Sequence, residues 1–323
     1  MRLSALMNLS KTCGFTCHPP RAAAWSLLTL ALCASLGTSS VARAQAPPKK
    51  ATSEDKTLTA KDGASIAITY FKSTAGQDAA VVVMLHGKGG NRQIWKAYAE
   101  ALQKADFAVI TVDLRGHGES TGGTGGAATG KKNDSSAPKA RDYAAMVAGD
   151  MEAVKKFVFE EHKKKQLNMN KLGIVAADLS TPVAIAYTEL DWEKKPYDDA
   201  PTLALQTPRG QDVQALVLLS PEATAPGLNV TKSLSVIRLL GRPVMLGVGS
   251  KNKTDLTAAK KIYDLLAPKK EDYVYIEQYE TPLEGTNLLG KNLKVEAHMF
   301  NFLNKHLKDH KSEWRDRRSK LDL

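Results

Sequence analysis

Apolar runs rich in β-branched residues recur along this chain: AAVVVML at 79–85, FAVITV at 107–112, LGIVA at 172–176, VQALVLLS at 213–220 and PVMLGV at 243–248. Runs with little polar alternation form strands buried on both faces, and such strands belong to parallel sheets covered by helices. Between them lie stretches with helical spacing. Residues 93–104 place Ile94, Tyr98, Ala101 and Leu102 on one side, and 142–161 do the same with Met146, Val147, Met151, Val154 and Val158. Residues 183–190, 234–240, 257–266 and 294–307 complete the helical set, with a last strand at 273–278. Strands alternating with helices predict an α/β fold: a mostly parallel central sheet with helices on both faces. Ahead of it, 57–60 and 65–71 flank Lys61-Asp62-Gly63, which predicts an N-terminal β-hairpin. The stretch 221–242 has room for one short helix, so any cap over the sheet is minimal.

The ends of the chain read differently. Arg21 precedes an apolar run at 22–36, and Ala42-x-Ala44 follows, the pattern of a signal peptide cleaved after Ala44. The run is short for a membrane span. Cys33 follows Leu32, where a lipoprotein signal needs a small residue. The expected organisation is a signal peptide at 1–44, a disordered linker at 45–56, one domain at 57–310 and a basic C-terminal tail at 311–323. The expected location is the periplasm or the outside of a bacterial cell, with no membrane span once the signal is removed. Cys13, Cys17 and Cys33 all precede the cleavage site, which excludes a disulfide framework, a thiolate metal site and a cysteine nucleophile from the mature chain. The formal net charge is +11, and the excess is spread over lysine-rich helices and residues 305–320. No aromatic residues interleave with it as in a nucleic-acid groove. The surplus predicts a solvated basic surface with weak attraction for anionic polymers. Residues 122–136, rich in Gly, Thr and Ser, read as a flexible loop.

The most informative stretch is GIVAADLSTP at 173–182, a strand running into a sharp turn and then a helix. Three further motifs accompany it: LHGKGG at 85–90, DLRGHGES at 113–120, and the strand pair ALVLLSP and RPVMLGVGS. Together, in this order, they resemble the α/β-hydrolase superfamily, in its lipase and serine-aminopeptidase-like branch, over residues 58–307. LHGKGG is similar to that family's HG turn after the third strand, and DLRGHGES to its D-x-x-G-x-G-x-S turn after the fourth. The strand pair is similar to its sixth and seventh strands.

The resemblance implies a nucleophile on the turn G-x-S-x-G, then an acid, then a histidine. Histidine takes the proton of the nucleophile while the acid holds the imidazole. Carried over, the nucleophile position is Asp178 in Ala176-Ala177-Asp178-Leu179-Ser180, the acid position is Asn252 and the histidine position is Glu284. The backbone N–H groups of Lys88 and Leu179 fall at the oxyanion-hole positions. None of the three side chains fits a Ser-His-Asp triad. His86 and His117 belong to the glycine turns, His162 ends a helix, and His298, His306 and His310 lie past the catalytic turn. Ser180 sits beyond the turn and reads as a helix cap with Thr181. Ser220 ends a strand. Asp113 and Arg115 read as a pair that fixes a turn.

Three readings follow. The first is a non-catalytic member that binds a small molecule, a peptide or a partner, since loss of the general base removes most of the rate. The second is an enzyme with Asp178 as nucleophile, as the resemblance to haloalkane dehalogenases and epoxide hydrolases implies. Against it, Leu179 stands where those enzymes have Trp, and Glu284 would have to serve as base with a raised pKa. The third is an ester or amide hydrolase whose nucleophile lies elsewhere. No cofactor and no metal are called for, although Asp178, Asp255 and Glu284 offer carboxylates to a cation.

Overall fold

The computed structural model describes residues 52–120 and 138–322. The expected signal peptide and most of the expected linker lie outside the described residues, as does the loop at 122–136. The first two strands, β1 (Ser53–Thr59) and β2 (Ser65–Phe71), form the predicted antiparallel hairpin. β1 starts inside the stretch read as linker. Its Glu54, Asp55 and Lys56 pair with Tyr70, Thr69 and Ile68 on the exposed edge of the sheet. An edge strand carries charge to discourage further pairing, so its composition mimics a linker.

Six more strands follow: β3 (Ala80–Leu85), β4 (Ala108–Val112), β5 (Asn168–Ala177), β6 (Val213–Leu219), β7 (Val244–Gly249) and β8 (Val274–Tyr279). The order across the sheet is β1-β2-β4-β3-β5-β6-β7-β8, parallel from β4 to β8. The chain moves outward from β3 to β4 and then returns to the other side of β3 as β5. It is at such a reversal, beyond the carboxyl ends of β3 and β5, that open α/β sheets bind ligands in a crevice. Register brings those ends level: Leu85 pairs with Ala176, Ala177 with Leu219, and Gly249 with Tyr279.

Alternate residues of each strand point to opposite faces and build two apolar layers. Val81, Val83, Leu85, Ile174 and Leu216 pack on one side with Met151, Val154, Ile185 and Ile262. These come from α3 (Met151–Lys163), α4 (Thr181–Glu193) and α6 (Lys253–Leu266). Val82, Met84, Val175 and Val217 pack on the other with Leu102, Met299 and Phe302. These come from α1 (Lys96–Lys104) and α7 (Val295–Leu303). Each fully buried aliphatic side chain contributes about 1.5–3 kcal/mol. Between β6 and β7 stands a single helix, α5 (Val230–Leu239), the minimal cap expected.

The predicted helix at 142–161 is α2 (Ala140–Ala145), a π-helical turn (Met146–Asp150) and α3. The turn carries Asp150, fully buried, onto Arg115, whose Nε lies 3.0 Å from Oδ1. Asp113 and Arg115 are therefore not a pair. Asp113 accepts from the Arg92 backbone N–H at 2.6 Å and from its guanidinium, while Arg115 joins Asp62 and Asp150.

Residues 311–322, read from their charge as a tail, are laid against the N-terminal edge of the sheet. Asn168 Nδ2 donates to the Ser312 carbonyl at 2.9 Å, and the Trp314 indole stacks on His162 with centroids 5.0 Å apart. Arg317 is buried and donates to Asp212 at 2.5 Å and to the Gly210 carbonyl at 2.9 Å. This strap also explains why β5 begins at Asn168 and not at Leu172, since it satisfies polar groups that looked unsuited to a buried strand. Among the described residues no helix is long and apolar enough to cross a membrane.

Candidate functional site

β5 ends at Ala177, and the next residue, Asp178, takes a left-handed backbone conformation with φ 48°. Such a conformation is strained for most side chains and tolerated by Asp. Local bonds over-determine it. Thr181 Oγ1 donates to the Asp178 carbonyl at 2.7 Å and accepts from the Glu222 N–H at 3.0 Å. Ser180 Oγ accepts from the Ala177 N–H at 3.0 Å and donates to the Ala177 carbonyl at 2.9 Å. Ser180 is fully buried and committed to the turn, which removes it as a nucleophile. Pro182 sits in the first turn of α4, where its missing N–H costs nothing.

The turn presents the Asp178 carboxylate to the crevice, between two glycines. Gly87 follows β3. Gly285, with φ +52°, lies in the loop after β8. A Cβ on Gly87 would stand 2.2 Å from Asp178 Oδ2, and one on Gly285 would stand 2.0 Å from the same oxygen. The carboxylate therefore fills the space between the HG turn and the last loop. The backbone N–H of Lys88 faces it and favours its charged form. Leu179, the other expected oxyanion donor, follows Asp178 in the same turn with its side chain buried.

Three more carboxylates surround this point. Burial pushes Asp178 up to about 7, and Glu284 adds to the shift, with Asp255 and Glu222 behind it. Glu222, just past β6, is raised by burial against the pull of the Lys88 ammonium, and Asp255 and Glu284 raise it further. Asp255, in the first turn of α6, is raised by burial and by Glu284, while a bond from Ser220 works the other way. Ser220 itself is buried and strained at φ 45°, and its Oγ accepts from the Gly285 N–H at 2.8 Å. The Ser220 hydroxyl thus holds the Gly285 amide and fixes the loop that covers Asp178.

The sequence placed Asp178, Asn252 and Glu284 at the triad positions. Two of them meet: Asn252 Nδ2 donates to Glu284 Oε2 at 3.2 Å. Asn252 Oδ1 accepts from the Asp255 N–H, also at 3.2 Å, so the side chain caps α6 as well. Glu284 is exposed and turned toward Asn252. Glu222 and the Ser220–Gly285 bond were not assigned to the site from sequence. Ser220 and Glu222 follow β6 and Gly285 follows β8, and no spacing in the chain announces their meeting. Among the described residues no three of His, Cys, Asp and Glu are grouped to hold a metal ion, so the carboxylates are neighbours without a common centre.

The histidines are engaged elsewhere. His86 Nε2 accepts from the Leu114 N–H at 3.2 Å, which leaves Nδ1 to donate to the Gly87 carbonyl at 2.8 Å. Burial holds His86 down at about 4, so it is neutral and fastens the HG turn. His298 and His306 lie against β8, beside the Tyr279 and Tyr275 hydroxyls at 3.3 and 3.1 Å. Among the described residues no histidine bonds Asp178, Asn252 or Glu284. Chemically the site offers a carboxyl whose pKa is raised to about 7, one facing amide and three acids, with no imidazole.

No curated protein sequence matches the chain. The profile of the α/β-hydrolase fold matches residues 80–195, the segment that carries both glycine turns and Asp178. Solved structures give the same architecture at low identity. An esterase from Pyrococcus furiosus is 16% identical with a TM-score of 0.56, over 80% of this chain and 92% of that one. A dienelactone hydrolase from Anabaena variabilis is 12% identical with a TM-score of 0.54, over 80% and 100%. A thermostable carboxyl esterase from Bacillus coagulans is 11% identical with a TM-score of 0.57, over 79% and 99%. Eight strands in this order, the strained turn after β5 and these matches give the chain the α/β-hydrolase fold.

Proposed function

We propose that this chain is a member of the superfamily without Ser-His-Asp hydrolysis, and that its site serves to bind a small molecule, a peptide or a partner. The observation that carries the reading is the seat of the Asp178 carboxylate, closed in by Gly87 and Gly285. In a triad the histidine ring approaches the nucleophile from the loop after the last strand. Here that approach is taken by the Gly285 backbone, and Glu284 beside it is tethered to Asn252. Asp178 then acts as a recognition group, a carboxyl that accepts or donates a hydrogen bond near neutral pH.

A second reading is favoured by the pKa of about 7 at Asp178. A carboxyl titrating there suits acid–base work. It suits an aspartate nucleophile less, because half of it is protonated at neutral pH and the base for the second step is turned away. The test is turnover of short p-nitrophenyl esters, aminoacyl anilides, epoxides and haloalkanes by the mature protein and by Asp178→Ala. No turnover by either folded protein is the expected result. Turnover abolished in the variant would establish Asp178 as the catalyst and sink the binding reading. Turnover surviving in it would place a nucleophile elsewhere. We also propose export, on the signal pattern ending at Ala44. Mature protein recovered from the producing cell should begin at Gln45; an intact N-terminus would refute this.

A further inference from the structure

A cavity of about 330 Å³ opens at the N-terminal edge of the sheet, the edge opposite Asp178. Its wall carries Lys155, Lys156, Lys194, Lys195, Arg209 and Arg317 against a single acid, Glu152. Three of the six cations already have acidic partners. Lys155 pairs with Asp191 and with Asp212, the latter at 2.6 Å, and Arg317 pairs with Asp212. Lys194 shares Glu152 at 2.5 Å. Lys156, Lys195 and Arg209 have no acidic partner among the described residues. We infer that this cavity is a binding site for a small organic phosphate or a like oxyanion, separate from the crevice at Asp178.

Three features favour a built site over a solvated basic surface. The cations converge on a concavity whose volume is at the small end for ligand pockets, which fits a single small molecule better than a polymer. Arg209 is pre-ordered: its guanidinium lies over the Tyr197 ring, 5.2 Å from the centroid, and the Tyr197 N–H donates to the Thr207 carbonyl at 2.9 Å. A stacked guanidinium loses little freedom when it forks onto a phosphate. Lys194 is held below the ordinary lysine value, first by burial and then by the neighbouring Lys155 ammonium. A dianion in the cavity would relieve that repulsion. The floor is rigid, because the Arg317 strap, α3 and the start of β6 are tied together beneath it.

The chemistry is shared by a free phosphorylated metabolite and by an anionic lipid headgroup, so the experiment has two arms. The mature protein is titrated calorimetrically with inorganic phosphate and pyrophosphate at matched ionic strength. It is also sedimented with vesicles of phosphatidylglycerol in phosphatidylcholine, and of phosphatidylcholine alone. Each arm is repeated with Lys156→Gln/Arg209→Gln, whose side chains are exposed, and with Lys260→Gln/Lys261→Gln on α6, which removes the same charge far from the cavity. The expected result is pyrophosphate binding that weakens by roughly tenfold or more in the first variant and little in the second. Binding of phosphatidylglycerol vesicles alone, lost in the first variant only, assigns the headgroup as the source and supports the site. No binding in either arm, or equal loss in both variants, overturns it.

Discussion

At the N-terminal edge of the sheet, Lys155 and Arg317 meet Asp191 and Asp212, two cations against two acids, all four buried. At the C-terminal edge, Asp178, Glu222 and Asp255 are raised by burial and by the acids around them, Glu284 included, and the Lys88 ammonium answers Glu222 alone. In the first cluster the acids outweigh the cost of burial and hold Lys155 above its ordinary value. In the second, burial and like charge add, and Asp178 rises to about 7. Both clusters bury charge, yet only one is compensated. A compensated cluster ties elements together. An uncompensated one stores unfavourable energy that a ligand or a proton can release, which makes it the candidate site.

The comparison breaks first at Arg317. If the lower cluster is structural, Arg317→Ala leaves Asp212 buried beside one cation and frees the strap. Loss of one partner from a buried pair costs about 3–5 kcal/mol. Urea unfolding of the variant should show that loss, and Asp212→Asn added to it should restore part. A cost below about 1 kcal/mol, the level of an exposed pair, would mean that the cluster is not what holds the strap.

The upper cluster is sharpened by pH. The folded pKa of Asp178 lies above the unfolded one, so the folded state binds the proton more tightly. Its favourable contribution is complete below the unfolded value near 4 and is lost as pH rises to about 7. Asp178→Asn removes that slope. Its stability relative to the parent should rise by about 2–4 kcal/mol between roughly pH 4 and pH 8. Denaturant unfolding of both proteins across that range measures it. A flat difference would show that Asp178 is ionised freely and that the two edges do not differ in kind.

How much of this was legible in the sequence depended on whether the cause was local. The parallel strands were readable because burial on both faces leaves an apolar signature, and the hairpin because Asp-Gly demands a turn. The turn at Asp178 was readable because small residues and Pro182 surround it. β1 was read partly as linker because an exposed edge is charged, and the strap was read as tail because the cation that anchors it, Arg317, is bound by Asp212, Pro208 and Gly210, a hundred residues away. Arg115 was paired with the nearest acid, Asp113, and found Asp62 and Asp150 instead. The triad positions could be aligned, but the seat of the Asp178 carboxylate against Gly285 and the Ser220–Gly285 bond come from loops of different strands that only the sheet register brings level.

The smallest expected effect tests that seat directly. Gly285→Ala adds a methyl that would stand 2.0 Å from Asp178 Oδ2, on a residue with φ +52°. The backbone conformation alone costs about 1–2 kcal/mol for a residue with a Cβ. The clash adds to it only while the carboxylate is present. The same substitution in an Asp178→Gly background should therefore cost less, with a coupling energy of about 0.5–3 kcal/mol, as for residues in contact. Unfolding free energies of the parent, the two single variants and the double variant close the cycle. Additive costs would place the carboxylate away from Gly285 and move the aspartate-nucleophile reading to first place.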